Sequence, residues 1–321
     1  MSIVINNLSY TYSLKSPYQK KALDNINLTI NEGDFLGIIG HTGSGKSTFI
    51  QHLNGLILPQ EGNIEVFDIK LTNAKKPKPD LKRLRSNVGM VFQYPEYQLF
   101  EETVAKDIAF GPKNLGLSEN EINERVKEAM SLVDLDYEKF KDRAPFELSG
   151  GQKRRVAIAG IIAMKPKVLI LDEPSAGLDP YGKEQILQLI VKLKNECSPT
   201  VIVISHDIDE ITRFANRIVV FNESKIEFDL PMEELFSKHS DRLVEIGLDI
   251  PRALKIVRKL KQKGIELKEN VVNSDQLLEG IVNAFNRKHN TNIVVKNDFA
   301  KSYIEQGNYE FLVGDNKEEL L

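Results

Sequence analysis

The sequence is poor in cysteine, in long apolar runs and in excess charge of either sign. Its only cysteine, Cys197, can form neither an internal disulfide nor a cysteine-cluster metal site, which favours a reducing cytosol. No apolar run approaches the roughly 20 residues that a bilayer-spanning helix needs, and the first residues alternate like a strand instead of forming a secretory signal. We therefore expect any association with a membrane to depend on a partner.

The charge balance gives no general attraction to nucleic acid. Lysine and arginine number 43 against 46 acidic residues, a formal net charge of −3, so an anionic partner would need a local basic patch. A basic run between Leu71 and Ser86 includes Lys75 and Lys76, but no aromatic residues alternate with its charges. We interpret this run as a solvent-exposed loop and helix face, and we predict no nucleic-acid partner.

A glycine-rich loop ending in Lys-Ser-Thr is the strongest motif in the chain. Residues Gly40 to Ser47 fit the pattern G-x-x-x-x-G-K-[ST]. The apolar residues before the loop suit a buried strand, and Thr48 to Leu56 has a helical pattern that stops near Gly55. Because backbone N–H groups of such a loop and helix N-terminus point at phosphate oxygens, the segment predicts a phosphate-binding site and not an ordinary turn.

The motif gives individual residues distinct roles. Lys46 would reach the β- and γ-phosphates, Ser47 would bind Mg²⁺ through its hydroxyl, and Thr48 would contact the α-phosphate. The residues predicted to bind the nucleotide in this loop are Gly40, His41, Thr42, Gly43, Ser44, Gly45, Lys46, Ser47 and Thr48.

A tyrosine before the loop is a candidate for stacking on the nucleotide base. Tyr12 and Tyr18 lie beside or within a turn-rich insert between two predicted strands, Ser2–Leu8 and Ile26–Ile30. We choose Tyr12, with Tyr18 as the competing aromatic residue. The alternative for either ring is simple packing on the edge of a sheet.

Two carboxylates follow a run of aliphatic residues. The stretch VLILD, Val168–Asp172, is typical of a central parallel strand that delivers Asp172 to a metal at its carboxyl end. Neighbouring strand residues point in opposite directions, so Glu173 can reach a water beyond the γ-phosphate and act as a general base. The alternative is a structural acidic pair.

Two other predicted strands also end in polar side chains. Val88–Phe92 precedes Gln93, whose amide oxygen can bind Mg²⁺ or orient a water. Thr200–Ile204 precedes His206, which can donate a hydrogen bond to the γ-phosphate when it lies at the end of the same sheet. Taken alone, His206 would be interpreted as a hydrogen-bonded histidine at the surface or at a sheet edge.

The segment LSGGQKRRVAIAG predicts a second anion site at a helix N-terminus. Ser149 is a plausible N-cap, Gly150 and Gly151 allow a ligand to approach closely, and Gln152 keeps the first turn polar. A capped helix entering the core is the alternative.

Helical patterns interrupt and follow the predicted strands. Ser118 to Asp142 has an apolar face at helical spacing, so we predict a helical subdomain over about residues 95–165. Arg217 to Leu230 has the pattern of a hairpin. Beyond Pro231 helical segments predominate, which predicts a small appended domain with a frayed end.

These motifs in this order resemble the nucleotide-binding subunit of ABC ATPases. The resemblance covers residues 1 to about 230 and implies that the nucleotide is ATP, that Gln93 is the Q-loop, that Ser149 to Gln152 is the signature, and that Asp172, Glu173 and His206 are the Walker B carboxylate, the general base and the switch histidine. It implies an α/β P-loop NTPase fold with a mostly parallel core sheet, an antiparallel β subdomain, an inserted helical subdomain and a small C-terminal helical or mixed domain.

Within that family, four stretches look like the ATPase subunits of energy-coupling factor vitamin transporters. They are YTY with SPYQKKAL, PEYQLFEETVAKDIAFGPKN, QKRRVAIAG and IGLDIPRALKIVRKLKQKGIEL. The second points to the second of two paralogous subunits. The resemblance implies a heterodimer with the paralogous ATPase, a transmembrane coupling subunit and a substrate-binding membrane subunit at the cytoplasmic face of the cell membrane. It divides the chain into an ATPase domain, residues 1–232, and a dimerisation extension, residues 233–321.

Three other functions compete with this interpretation. An ATPase subunit of another ABC importer or exporter has the same motifs. A soluble ABC ATPase acting on DNA would separate Gln93 from Ser149 by a long coiled coil, and one acting on ribosomes would carry two cassettes. A regulatory sensor without hydrolysis would be expected to lack Glu173 or Ser149.

Two apolar sets are predicted to contact partners. The set after Gln93 would dock the membrane subunit, or else pack on the chain's own helical subdomain: Tyr94, Pro95, Tyr97, Leu99 and Phe100. The C-terminal set would hold the second ATPase, or else form a private core: Leu243, Ile246, Leu248, Ile250 and Leu254.

Overall fold

The computed structural model describes residues 2–73, 78–198, 200–267, 271–291 and 293. The chain divides into two compact units, Met1–Pro251 and Arg252–Leu321, which are described separately below. Lys75 and Lys76 of the predicted basic run, and the predicted frayed tail beyond residue 293, lie outside the described residues. The predicted domain boundary after residue 232 stays a prediction.

The first unit is built on strands. In its described part they are β1 (Ser2–Tyr12), β2 (Lys20–Asn31), β3 (Phe35–Gly40), β4 (Glu61–Val66), β5 (Ile69–Thr72), β6 (Val88–Val91), β7 (Val168–Asp172), β8 (Thr200–Ile204), β9 (Arg217–Asn222) and β10 (Lys225–Pro231).

Helices connect these strands and form the second unit. The described α-helices are α1 (Lys46–Leu53), α2 (Leu81–Asn87), α3 (Val104–Leu115), α4 (Glu119–Leu132), α5 (Tyr137–Phe140), α6 (Gly150–Ile162), α7 (Pro180–Glu196), α8 (Ile208–Ile211), α9 (Met232–Lys238), α10 (Ser240–Glu245), α11 (Arg252–Gln262) and α12 (Ser274–His289). Short 3₁₀ turns lie at Pro95–Gln98 and Pro145–Glu147. In the part of the chain that the structure describes, no helix combines the length and apolar character needed to span a membrane.

The central sheet has the strand order β10-β9-β3-β8-β7-β6. Its strands are parallel except for β10, which pairs antiparallel with β9 in the predicted hairpin. Every residue of β3, β6 and β8 is buried, as their unbroken apolar sequences predict for strands covered on both faces. The second sheet, β2-β1-β4-β5, is antiparallel, so both predicted sheets are confirmed.

Helix α1 fixes the glycine-rich loop between the two sheets. Its Phe49, Ile50 and Leu53 are fully buried in one cluster with side chains from both sheets, including Ile38 and Ile64. Burying side chains of this size contributes about 1.5–3 kcal/mol each. The loop is therefore attached to a helix that has little freedom to move.

Helices α3, α4, α5 and α6 form the predicted helical insertion. A Cβ added to Gly111 of α3 would lie 2.8 Å from Met164 Cγ and 3.3 Å from the carbonyl oxygen of Gly160, so α3 and α6 pack closely. Within the predicted helical stretch from Ser118 to Asp142, the structure has two separate helices, α4 and α5. Asp134, between them, has a φ of 56°, which an α-helix does not accommodate.

The N-terminal insert is shorter than the sequence predicted. Strand β1 runs on to Tyr12 and β2 already begins at Lys20, which leaves only residues 13–19 as a connection. The longer strands continue their antiparallel pairing through Tyr10↔Leu23 and Tyr12↔Lys20, with irregular register along the way.

The second unit has a small core of its own, formed by Ala253 and Val257 of α11 together with Val271 and Leu277.

The predicted C-terminal interface is wrong for three of its five residues. Leu243, Ile250 and Leu254 are 0%, 5% and 3% exposed, so they have no surface left for a second chain. Their apolar pattern reflects packing within this chain.

Candidate functional site

A cavity of about 840 Å³ opens at the carboxyl ends of the parallel strands in the first unit. Its walls include most of the predicted site residues: Tyr12, Gly40, His41, Thr42, Gly43, Gly45, Lys46, Ser47, Thr48, Gln93, Asp172, Glu173 and His206. Parallel strands bring their carboxyl ends to one edge of a sheet, and this explains why residues so far apart in sequence meet here.

The glycine loop passes so close to neighbouring backbone that two of its glycines cannot be replaced. A Cβ on Gly40 would lie 2.2 Å from the carbonyl oxygen of Phe221, and one on Gly45 would lie 2.3 Å from that of Ala22. The φ angles of the two residues, 148° and 110°, also favour glycine. Ser44 of the same loop is buried, and its hydroxyl has no partner among the described residues.

Lys46 is held inside this loop. Its Nζ donates to the carbonyl oxygens of Gly40 at 2.6 Å and His41 at 2.8 Å. Burial lowers the pKa of the Lys46 ammonium, while the charges of Glu173 and Asp172 oppose that shift. The loop therefore presents one cationic group among its backbone N–H groups, which suits a polyphosphate.

Asp172 ends β7 opposite Ile204, the last residue of β8. Burial, and after it the neighbouring charge of Glu173, raise the pKa of Asp172 to about 6, although Lys46 and a hydrogen bond from Ser47 act in the opposite direction. A carboxylate, a hydroxyl and the nearby amide of Gln93 are the oxygen ligands that Mg²⁺ prefers. Among the described residues no group of three or more His, Cys, Asp or Glu side chains could hold a metal, so such an ion would also need ligands from the nucleotide or water.

Glu173 forms a close contact with the predicted switch histidine. His206 Nδ1 lies 2.7 Å from Glu173 Oε2, with the glutamate side chain 14% exposed and the histidine 77% exposed. Burial raises the pKa of the Glu173 carboxyl, and His206 partly counteracts this. Glu173 also has a φ of 50°, in the left-handed region that residues with a side chain adopt infrequently. The geometry suits a carboxylate that accepts a proton.

Tyr12 lies beside the loop. Its hydroxyl is 3.2 Å from Thr48 Oγ1, and its ring contacts Tyr10 edge-on with centroids 4.9 Å apart. Tyr18 is 86% exposed and is absent from the cavity lining that the described residues form. The position of Tyr12 agrees with the predicted stacking role, which stays a prediction.

The predicted signature lies apart from the cavity. Ser149 and Gln152 form a reciprocal capping box at the start of α6, with bonds of 3.3 and 3.0 Å. Among the described residues, neither they nor Gly150 and Gly151 line the cavity, and a Cβ added to either glycine would meet no atom within 4 Å. This helix end is therefore open to a ligand, and it does not line the cavity beside the chain's own phosphate loop.

Arg154 was not predicted to contribute to the site, because no local pattern indicates its contacts. Its side chain is 1% exposed and binds Glu96 through two hydrogen bonds of 3.0 and 2.8 Å. The same guanidinium donates to the carbonyl oxygens of Pro174 at 2.9 Å and Ala176 at 3.0 Å. Arg154 thus joins α6, the segment after Gln93 and the turn after Glu173.

The cavity lining also includes residues that were not predicted for the site. Lys20, Leu248 and Asp249 line the cavity, and His41 Nε2 lies 2.7 Å from the carbonyl oxygen of Ile246. No local motif could have pointed to the last contact, because its partners are 205 positions apart.

Comparisons with known proteins identify the family of this chain. The model of the ABC transporter family matches residues 23–176. An energy-coupling factor transporter ATP-binding protein, EcfA2, from Clostridium tetani is 51% identical over 288 residues, which are 90% of this chain and 99% of that protein. The EcfA2 protein of Clostridium perfringens is 52% identical over 88% of this chain and 98% of its own length.

Two solved structures of ABC transporter components align with this chain. CbiO1 from Clostridium perfringens, part of the ABC transporter complex cbiONQ, aligns with a TM-score of 0.66 and 35% identity over 81% of this chain and 94% of that chain. The ATP-binding cassette MJ0796, as a dimer in a post-hydrolysis state with ADP and Pi, aligns with a TM-score of 0.61 and 33% identity over 72% of this chain and 98% of that chain. The P-loop ATPase fold is therefore confirmed, and the chain belongs to the EcfA2 family of energy-coupling factor transporter ATP-binding proteins within the ABC transporter ATPases.

Proposed function

We propose that this chain is the ATP-hydrolysing subunit of an energy-coupling factor importer, which takes up vitamins or other micronutrients through membrane partners. The observation that carries the proposal is the convergence of Lys46, Asp172, Glu173 and His206 on one cavity behind the glycine loop. A phosphate-binding loop, a metal-binding carboxylate, a base and a hydrogen-bond donor are what ATP hydrolysis requires.

Each group has a defined task in the proposed reaction. The loop N–H groups and Lys46 bind the β- and γ-phosphates and offset their negative charge. Glu173 accepts the proton of the attacking water, and burial makes its carboxyl a stronger base than an exposed glutamate. His206, at hydrogen-bond distance from Glu173, orients the water and the γ-phosphate.

The oxygen ligands fit a magnesium ion. Ser47, Asp172 and Gln93 would hold it, and when bound it would supply positive charge to the phosphates. The raised pKa of Asp172 fits such a role, since a buried carboxylate that lacks sufficient cationic partners gains stability when a cation binds.

A complete site needs a second chain, because the signature helix lies apart from the phosphate loop of the same chain. We propose two subunits face to face, with each phosphate loop closed by Ser149 to Gln152 of the other subunit. The resemblance of PEYQLFEETVAKDIAFGPKN favours a paralogous ATPase as the second subunit.

A contact independent of ATP can form on α12. Leu278, Ile281 and Phe285 are 47%, 40% and 46% exposed and are spaced three and four residues apart, so they form one apolar stripe. This stripe replaces the buried residues Leu243, Ile250 and Leu254 as the proposed contact with the paralogue.

The membrane partner would dock beside the segment after Gln93. A groove of about 680 Å³ lies there, which we call the Phe100 groove, and it is lined by Lys82, Arg85, Ser86, Gln98, Leu99, Phe100, Asp107, Phe110, Gly111, Asn114, Leu115, Ala157, Gly160, Ile161 and Met164. Tyr97 is 85% and Phe100 59% exposed, whereas Pro95 and Leu99 are buried and pack within the chain. An apolar groove with a basic rim fits a helix of a transmembrane coupling subunit.

This docking would place the chain at the cytoplasmic face of the cell membrane. The coupling subunit would then pass the closure of the ATPase dimer to a substrate-binding membrane subunit.

Replacing Glu173 by glutamine should abolish turnover and preserve ATP binding. The amide fills the same space but cannot accept a proton, so we expect kcat to fall by roughly 10²-fold or more. Steady-state hydrolysis and equilibrium MgATP binding measure the two effects, and Glu138→Gln, an exposed glutamate of α5, is the control. Turnover above about a tenth of wild type would exclude Glu173 as the base.

Replacing Tyr12 by alanine should weaken ATP binding and leave the chemical step almost unchanged. Stacking holds the base and not the transferred phosphoryl group, so KM rises while kcat stays within about twofold. Tyr12→Phe retains the ring but loses the hydroxyl near Thr48, and it should behave like wild type. If Tyr12→Ala has no effect and Tyr18→Ala raises KM, the assignment is wrong.

Replacing Tyr97 by alanine should uncouple hydrolysis from transport. The exposed ring is removed without opening a cavity, so folding and the ATPase of the isolated ATPase subunits persist while stimulation by the membrane subunit is lost. Val191→Ala on α7 removes an exposed apolar side chain elsewhere and serves as the control. Equal stimulation of wild type and Tyr97→Ala by the membrane subunit would contradict this docking site.

The purified unit should be a heterodimer. Co-expression with the nearest genomic paralogue, followed by native mass measurement without nucleotide, should give a one-to-one complex. Phe285→Glu should dissociate it by burying a charge, whereas Asn283→Glu on another face of α12 should not. A stable homodimer that is fully active with the membrane subunit and ignores the paralogue would overturn the heterodimer.

A further inference from the structure

Glu210 is a buried carboxylate that the reaction described above does not use. It lies on the short helix α8, four residues after His206, and its side chain is only 3% exposed. A buried carboxylate persists only where donors satisfy it, so the groups that contact it indicate what it holds in place.

The donors to Glu210 come from two segments that carry the proposed chemistry. Ser175 Oγ donates to both carboxylate oxygens, at 2.6 and 2.8 Å, and Ser205 Oγ lies 3.1 Å from Oε2. Ser175 stands two residues after Glu173, and Ser205 directly precedes His206. The carboxylate therefore connects the turn after the proposed base to the turn that bears the histidine.

Lys183 of α7 completes the arrangement. Its Nζ lies 2.7 Å from Glu210 Oε1 and 2.6 Å from Asp207 Oδ2. Asp207 N in turn donates to Ser205 Oγ at 3.0 Å. His206 is thus bordered on both sides by residues whose positions depend on Glu210 or on its ion-pair partner.

We propose that Glu210 is a positioning residue for ATP hydrolysis. Its carboxylate holds Ser175 and Ser205 together, so that Glu173 and His206 stay at the 2.7 Å separation that the structure has. The inference rests on the proposed roles of Glu173 and His206, and Glu210 is not among the described residues that line the cavity.

The chemistry of a carboxylate explains why another residue would not serve. A carboxylate only accepts hydrogen bonds, which forces both serine hydroxyls to donate toward it. Glutamine has the same shape, but its NH₂ group would face either Lys183 or the Ser205 hydroxyl. One side of the arrangement would then lose its acceptor.

The test uses the full chain in the complex it forms on co-expression with its paralogue. Glu210→Gln should lower kcat for ATP by about 10-fold and change KM by less than about twofold, because positioning affects the transition state more than ground-state binding. Glu184→Gln is the matched control. It removes the charge of an ion pair with Arg213, at 2.5 and 2.7 Å, that links α7 to the segment after α8 without touching either serine. We expect its kcat to stay within about twofold of wild type.

A double-variant comparison separates positioning from general stability. In a His206→Ala background, Glu210→Gln should lower kcat by less than about twofold, because the histidine that it positions is gone. The proposal is overturned if the fold-losses in kcat of the two single variants multiply in the double variant. It is also overturned if Glu210→Gln alone leaves kcat within about twofold of wild type.

A second variant keeps the test possible if Glu210→Gln is misfolded. If Glu210→Gln does not fold, Ser205→Ala removes one donor with almost no change in volume, and it should lower kcat by about threefold at unchanged KM. An unchanged kcat in Ser205→Ala would then overturn the proposal. The proposed function is tested independently. It fails if Glu173→Gln retains turnover. The role of Glu210 alone fails if Glu173→Gln is inactive and Glu210→Gln keeps the turnover of the wild type.

Discussion

The parallel register of the central sheet is the constraint on which the site depends. Asp172 pairs with Ile204, and Ile204 pairs with Ile38, so the glycine loop, the acidic pair and His206 all begin at the same edge. These strands are buried on both faces, and a shift of one residue would turn each side chain to the opposite face. Hydrophobic packing therefore determines the position of charged groups that contribute little to the core themselves.

The cavity at this edge of the sheet contains more negatively charged than positively charged groups from the predicted site, which favours the binding of a cation. Two adjacent carboxylates share a cavity with the ammonium of Lys46, and burial raises the pKa of both acids. A group whose ionised form is destabilised by burial gains free energy from any cation that reaches it, and the loop N–H groups do the same for an anion. The cavity therefore presents groups that favour a cation next to groups that favour an anion.

Local patterns were sufficient wherever a short segment determines its own structure. The strand VLILD, the glycine loop and the N-cap at Ser149 were predicted from a few neighbouring residues and were found in place. The break between α4 and α5 at Asp134 was not located in advance, because no glycine or proline marks it. The burial of Leu243 could not be separated from an interface either, since an apolar pattern is the same whether the covering surface belongs to the same chain or to another.

Contacts between distant segments could not be predicted from short sequence patterns, and those of Arg154 are the clearest case. Its guanidinium binds Glu96, 58 positions away, and the backbone of Pro174 and Ala176. Breaking one side of a buried ion pair costs on the order of 3–5 kcal/mol, so this arginine acts as a rigid connection and not as a surface charge. The segment that borders the Phe100 groove and the turn that follows Glu173 are tied to the same side chain. Displacement of one relative to the other must therefore carry Arg154 with it or break its bonds, and this gives the groove a direct mechanical link to the turn behind the proposed base.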